Sequence, residues 1–208
     1  LHQGLLEKGW NSRIVCRSNG ELSRHAAPSL ISIPWRGEWD IAGLVRILGV
    51  CKTFRPDIIH CHDAHALAHG SVIGALLGVA VVYTRRTVFP LKRTMLSQWK
   101  YSRCRMFIAV SRAVARQGES IVRKDIIRVV ADGVDWTRPG LSREAARRAL
   151  GIPDERFVVG TIGHFTREKN LPLIAEAARA LAKTHPHVLF VGIGPYATTD
   201  APPPRNLM

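Results

Sequence analysis

The sequence predicts an α/β fold of the doubly wound, parallel-sheet kind, and two observations predict it. Short apolar, β-branched runs alternate with helical patterns along almost the whole chain. One stretch, Phe157 to Pro195, also reads as a complete strand–loop–helix–strand unit. Phe157 to Ile162 is short and apolar, which suits a strand buried on both faces. Gly163 lets the chain turn, and Leu171, Ile174, Ala178 and Leu181 recur at helical spacing. His185-Pro186 ends that helix, because proline cannot continue it. Val188 to Val191 is the second strand, closed by Gly192 and Gly194. Two parallel strands joined by a helix form a right-handed crossover.

The other elements follow from the N-terminus. Leu1 to Lys8 reads as the end of a helix stopped at Gly9, Arg13 to Cys16 as a strand, and Ser18-Asn19-Gly20 as a turn. Leu30 to Ile33 is a short strand before Pro34. Asp40 is an N-cap for a helix whose apolar face is Ile41, Leu44, Ile47 and Leu48. Asp57 to His60 is a buried strand, Ala64 to Leu77 a Gly- and Ala-rich helix, and Val79 to Tyr83 the next strand. Leu91 to Arg105 reads as a basic amphipathic helix, with Leu91, Met95 and Trp99 on one face and Lys92, Arg93, Lys100 and Arg103 around it. Phe107 to Val110 is a strand, Ser111 an N-cap, and Ile126 to Val130 one more strand. From Asp135 the pattern breaks through Pro139-Gly140, and a short helix opens at Ser142 and ends at Gly151-Ile152-Pro153. The domain reading is therefore 1–138, a linker at 139–152, and a second domain at 153–208 that ends in a proline-rich, irregular stretch at Ala201 to Pro204.

Composition bounds the function. At 208 residues with 46% hydrophobic and 22% charged content, the chain is ordinary for a globular protein with a real core. No run approaches the roughly 20 apolar residues of a membrane helix. Cys16, Cys51, Cys61 and Cys104 form no C-x-x-C pair and read as buried, reduced thiols. The net charge of +14 points to an anionic partner, whether nucleic acid, membrane surface or phosphorylated substrate. The competing explanation is a basic background composition. No zinc finger or aromatic RNA-binding motif is present, so no specific nucleic acid is expected.

Three places carry candidate chemistry. Ligands of doubly wound sheets bind beyond the carboxyl ends of the strands, where loop amides meet helix N-termini. Gly163 to Lys169 lies at such an end, and Lys169 adds a point charge suited to phosphate. The loop is not of the G-x-x-x-x-G-K-[ST] type, and Gly192-Ile193-Gly194-Pro195 is not a dinucleotide fingerprint. His60, His62, Asp63, His65 and His69 form the densest polar cluster. They read as a strand end facing a substrate cleft, as a metal site, or as loop and helix-start residues without chemistry. For a metal, Asp63 stands one residue early relative to the H-x-H-x-D-H run of metallohydrolases. Arg85-Arg86 follows a strand and suits a phosphate or carboxylate bound in bidentate geometry; its alternative is a solvated pair.

Five stretches together resemble the retaining glycosyltransferases of family 4, which have the two-domain GT-B fold. They are Arg55 to Asp63, Val81 to Thr84, Phe107 to Ser111, Val129 to Asp135, and Gly160 through Lys169-Asn170 to Pro195. The wording of Trp35 to Asp40 and Thr84-Arg85-Arg86 is similar to members that build lipopolysaccharide core, in the cell envelope. The resemblance implies a GT-B fold of two Rossmann-like domains, the first lacking its first strand and the second only partly present. It implies transfer of a hexosyl-type sugar from a nucleotide-sugar donor to a lipid-linked or polysaccharide acceptor, with retention and without a metal or other cofactor. It places His62 and Asp63 against acceptor or donor sugar, and Arg86 on the acceptor side, where many members carry histidine. Gly163, Lys169, Gly192 and Gly194 fall to the donor. His164 stands where the family has an arginine, so the donor clamp needs either a protonated His164 or Arg167 as the substitute cation. The Asp132-Gly133-Val134-Asp135 turn reads as structural. The family's first strand and its Glu-x7-Glu motif are not in the sequence, so a fragment or truncated product is expected. The expected location is the cytoplasm, at the inner face of the cell membrane, held there by the basic helix on anionic lipid. The alternatives are a non-enzymatic basic module for membrane or nucleic acid, and a metallohydrolase built on His60, His62 and His65.

Overall fold

A computed structural model describes residues 1–25, 28–133, 140–163 and 170–194. The chain divides into two compact units, Leu1–Val134 and Asp135–Met208. The first unit runs α1 (His2–Glu7), β1 (Ile14–Arg17), a 3-10 turn (Glu21–Arg24), β2 (Leu30–Ile33), α2 (Ile41–Phe54), β3 (Ile58–Cys61), α3 (Ala64–Leu77), β4 (Ala80–Arg85), α4 (Met95–Ser102), β5 (Cys104–Ala109), α5 (Arg112–Gly118), a second 3-10 turn (Lys124–Ile126) and β6 (Ile127–Val129). The second runs α6 (Arg143–Ala149), β7 (Phe157–Ile162), α7 (Leu171–Thr184) and β8 (Val188–Ile193).

Every strand pairing is parallel. β1 pairs with β2, the order β3-β4-β5-β6 makes a four-stranded sheet, and β7 pairs with β8. β1 and β3 are edges of separate sheets. The helices start where short polar side chains replace the missing partners of the first amides. Asp40, Asp63, Thr94, Ser111 and Ser142 each accept from an amide two or three residues on. Gly78 ends α3 in the left-handed conformation, at φ 69°.

Register sorts the four-stranded sheet into two faces. Cys61, Val81, Tyr83, Phe107 and Ala109 point to one side and are buried. Tyr83 meets Tyr101 and Phe107 edge to face at 5.6 Å and 5.5 Å between centroids. α3 lies close on this face because Gly70 and Gly74 carry no side chain; a Cβ would come within 2.5 Å of the Cys61 sulfur and of a Val81 methyl, respectively. The opposite face carries Ile58 and Met106, both exposed, with Val82 and Ile108 half-buried.

Three expectations are corrected. The helix expected over Leu91 to Arg105 is only Met95–Ser102, and β5 begins at Cys104. Its proposed interfacial stripe does not form. Leu91 precedes the helix and packs against the core, Met95 is 89% exposed, and Lys100, expected among the basic residues around the stripe, is buried. On α2, Ile41 is exposed, while Gly43 and Cys51 take the buried positions. β8 does not close at Gly192 but runs through it to Ile193, with Gly192 opposite Thr161. All four cysteines are free and buried. No helix among the described residues is long and apolar enough to cross a membrane.

Candidate functional site

The parallel strands β3, β4 and β6 present their carboxyl ends along one edge of the sheet. Just past those ends lie His62, Arg86 and Asp132, and the fold brings the three together. Arg86 donates from Nε to one Asp132 oxygen at 3.0 Å and from Nη2 to the other at 3.2 Å, the bidentate fork that guanidinium and carboxylate favour. Its Nη1 lies 3.1 Å from His62 Nδ1. Arginine has no acceptor, so Nδ1 carries the lone pair and the proton of neutral His62 sits on Nε2. The His62 ring stands 4.2 Å from that of His60, and His60 Nε2 shares a 2.7 Å hydrogen bond with Thr84 Oγ1.

Both imidazoles are held neutral. Burial pushes the His60 pKa down to about 4, helped by His62 and Arg86. Burial, then the Arg86 charge, lowers His62, while Asp63 and Asp132 pull the other way. At neutral pH this edge therefore offers an imidazole N–H, a guanidinium and a carboxylate. It is suited to hold an anionic or hydroxyl-bearing ligand.

The rest of the histidine cluster turns elsewhere. Asp63 Oδ1 accepts the amides of His65 and Ala66 and caps α3. His65 Nδ1 lies 3.6 Å from Glu38, which also takes Lys100 Nζ at 2.7 Å. Lys100 Nζ donates as well to the Ala64 carbonyl, tying the start of α3 to the loop before α2. His69 is buried, donates from Nε2 to the Asp40 carbonyl at 3.1 Å and stands edge-on to Trp35. His60, His62 and His65 thus point to three different partners, and this divergence speaks against the metallohydrolase alternative. Among the described residues no three His, Cys, Asp or Glu side chains converge on a metal-sized site.

In the second unit, Gly163 and Gly194 meet at the carboxyl ends of β7 and β8. Gly163 donates its amide to the Ile193 carbonyl at 3.0 Å. Gly194 has φ 148°, and a Cβ there would strike the Gly163 carbonyl. The two glycines leave a bare backbone edge at the strand ends. Of the other residues assigned to the donor, Gly192 lies inside β8, and His164, Arg167 and Lys169 lie outside the described residues.

Sequence reasoning named His62, Asp63 and Arg86, and the structure joins the first and third. It missed Asp132 as a site residue and assigned it only to a turn. The available signal was a carboxylate just after a strand, at the same sheet edge as an unpaired arginine.

The profile of glycosyltransferase family 4 matches residues 1–138. Over 175 residues the chain is 29% identical to a D-inositol 3-phosphate glycosyltransferase of Saccharomonospora viridis, covering 73% of this chain and 40% of that protein. The structure superposes on a glycosyltransferase from Rickettsia africae with a TM-score of 0.71 at 17% identity, over 92% of this chain and 54% of that one. It superposes on Anabaena Alr3699/HepE, solved in complex with UDP-glucose, with a TM-score of 0.66 at 18% identity, over 84% of this chain and 49% of that one. The structural likeness shows the fold, that of GT-B glycosyltransferases. The chain thus spans about half the length of these solved relatives and 40% of the S. viridis protein. With the family profile matched over the first unit, the chain belongs to glycosyltransferase family 4.

Proposed function

We propose that this protein takes part in retaining transfer of a hexosyl-type sugar from a nucleotide-sugar donor to a lipid-linked or polysaccharide acceptor that carries an anionic group. The observation that carries the acceptor half is the Arg86–His62–Asp132 constellation at the strand ends of the first unit. Asp132 occupies the Arg86 fork as an internal carboxylate. A phosphate or carboxylate on the acceptor competes with Asp132 for that fork and draws Arg86 toward itself. As Arg86 turns to the acceptor it releases His62 Nδ1, whose lone pair then receives a hydrogen bond from the acceptor hydroxyl. The depressed pKa keeps that lone pair unprotonated at neutral pH. Asp63 acts through its cap, which fixes the turn that carries His62.

The donor half is assigned to the second unit. The bare backbone of Gly163 and Gly194 admits a diphosphate close to the strand ends, and Arg167 and Lys169 supply charge to the leaving nucleoside diphosphate. The Anabaena neighbour solved with UDP-glucose supports a donor of that class.

The experiment is transfer of labelled sugar from UDP-glucose to paired acceptors with and without a phosphate group. Arg86→Ala should raise KM for the phosphorylated acceptor about tenfold or more, the worth of one charge-assisted pair, and leave hydrolysis of UDP-glucose unchanged. An equal KM change for both acceptors would remove the anionic group from the proposal. No transfer to either acceptor by the parent would remove the activity itself.

A further inference from the structure

We infer that Arg85 is the donor of a second anion-binding subsite, beneath the segment 86–94, that takes a phosphate or carboxylate group. Arg85 ends β4 on the core face of the sheet and is only 7% exposed. Its Nη2 donates to the Phe89 carbonyl, while Nε is buried without a hydrogen-bond partner. Among the described residues no carboxylate pairs with it. A guanidinium taken out of water is costly unless its charge and its N–H groups are both compensated. A carbonyl dipole compensates one N–H and little of the charge.

The pattern of what is satisfied identifies the ligand. Nε–H and Nη2–H form one edge of the guanidinium, and two oxygens of a carboxylate or phosphate fit that edge side-on. The Phe89 carbonyl engages Nη2 and leaves Nε open. The segment above it has no helix or strand, and its Val88 and Phe89 side chains are exposed although apolar. Between Arg86 and Thr94 the chain carries Lys92 and Arg93 and no acid. The surroundings thus draw an anion, and the segment is held to Arg85 by one carbonyl that the anion replaces. Arg86 is engaged by His62 and Asp132, so this subsite uses a different guanidinium from the acceptor constellation and does not depend on it.

The test is thermal melting of the full chain in sodium phosphate, sodium acetate and sodium chloride at matched ionic strength. Phosphate or acetate should raise Tm by about 3 °C over chloride, as a ligand bound only by the folded state does, and the anion that acts names the group. Arg85→Met should melt above the parent in chloride, because the uncompensated charge is gone, and show no anion shift. Arg112→Met, an exposed arginine on α5, should keep the shift. If Arg85→Met does not fold, Arg85→Lys retains the charge without the fork and should lose most of the shift. An equal anion shift in the parent and the Arg85 variants overturns the inference, and so does a parent indifferent to both anions.

Discussion

The same strand–helix–strand unit occurs in both halves of this chain, and the two copies are built differently. In β3–α3–β4 the helix is buried over much of its surface: Leu67, Ala68, His69, Gly70, Ser71, Ile73 and Gly74 are all buried. In β7–α7–β8 only Ala175 of the helix is buried. α3 is nearly uniform in small and apolar residues, so it suits a position wedged between the sheet, α2 and α4. α7 keeps a polar side of Glu176, Arg179 and Lys183 and rests one apolar stripe on its sheet. Their strand ends differ in kind as well. The first ends in side chains, His62 and Arg86, and the second in bare glycine backbone, Gly163 and Gly194. One crossover pattern thus yields a well-buried platform that displays side chains and a more exposed pair of strands that ends in bare backbone.

The comparison is tested hardest by deleting one aromatic ring from each half. Phe107 is fully buried beneath Tyr83 and Tyr101, so Phe107→Ala should cost about 4 kcal/mol, the transfer energy plus the cavity it leaves. Phe157 on β7 is 63% exposed, and Phe157→Ala should cost about 1 kcal/mol or less. Urea unfolding followed by circular dichroism measures both. Similar losses would mean that the second half hides a core comparable to the first.

The next test adds bulk to each helix. Gly74→Val places a branched side chain where Val81 and the Val79 carbonyl already stand, and should cost about 3 kcal/mol or abolish folding. Ala180→Val, on the exposed side of α7, should cost no more than about 0.7 kcal/mol of helix propensity. Tolerance of Gly74→Val would show that α3 can lift from the sheet.

This contrast also explains which features were legible in the sequence. Local signals were strong enough to place the strands, most helices and the caps Asp40 and Ser111, because capping and periodicity act within a few residues. α4 defeated periodicity. Lys100 reads as one of the basic residues flanking the apolar stripe, yet it is buried against Glu38, 62 residues away in sequence. Such a pair leaves no periodic trace. Arg86 was named from its place after a strand, but its partner Asp132 lies 46 residues on, and only the parallel order of the strands brings them together. Asp63 shows the reverse case. It sits one residue before a helix, the position of an N-cap, and its oxygen is spent there. Gly163 and Gly194 were visible as punctuation, but the fact that they abut was not.

The mildest expected effect comes from acid, and it too separates the two strand ends. His60 has a folded pKa of about 4, below the ordinary histidine value, because burial disfavours its charge and His62 and Arg86 stand beside it. Between the ordinary value and about 4 the unfolded chain therefore binds a proton that the folded chain does not. The stability this group confers is complete above about pH 6.5 and is lost as pH falls toward 4. His62 shifts in the same direction and deepens the loss. Asp40, whose carboxyl is held below its ordinary 3.8 by the amides of Gly43 and Arg36, acts only at lower pH and does not confuse the window. Among the described residues, the glycine end at β7 and β8 carries no histidine of lowered pKa. Urea midpoints at pH 7.5, 5.5 and 4.5 should therefore fall step by step for the parent. His60→Gln keeps a polar partner for Thr84 but cannot take the proton, so its midpoints should fall less over the same range. The remaining slope belongs to His62 and should flatten further in the double variant with His62→Gln. An unchanged slope in the double variant would show that the histidines are not the acid-sensitive groups, and that the imidazole pair stays hydrated enough to titrate as it does in the unfolded chain.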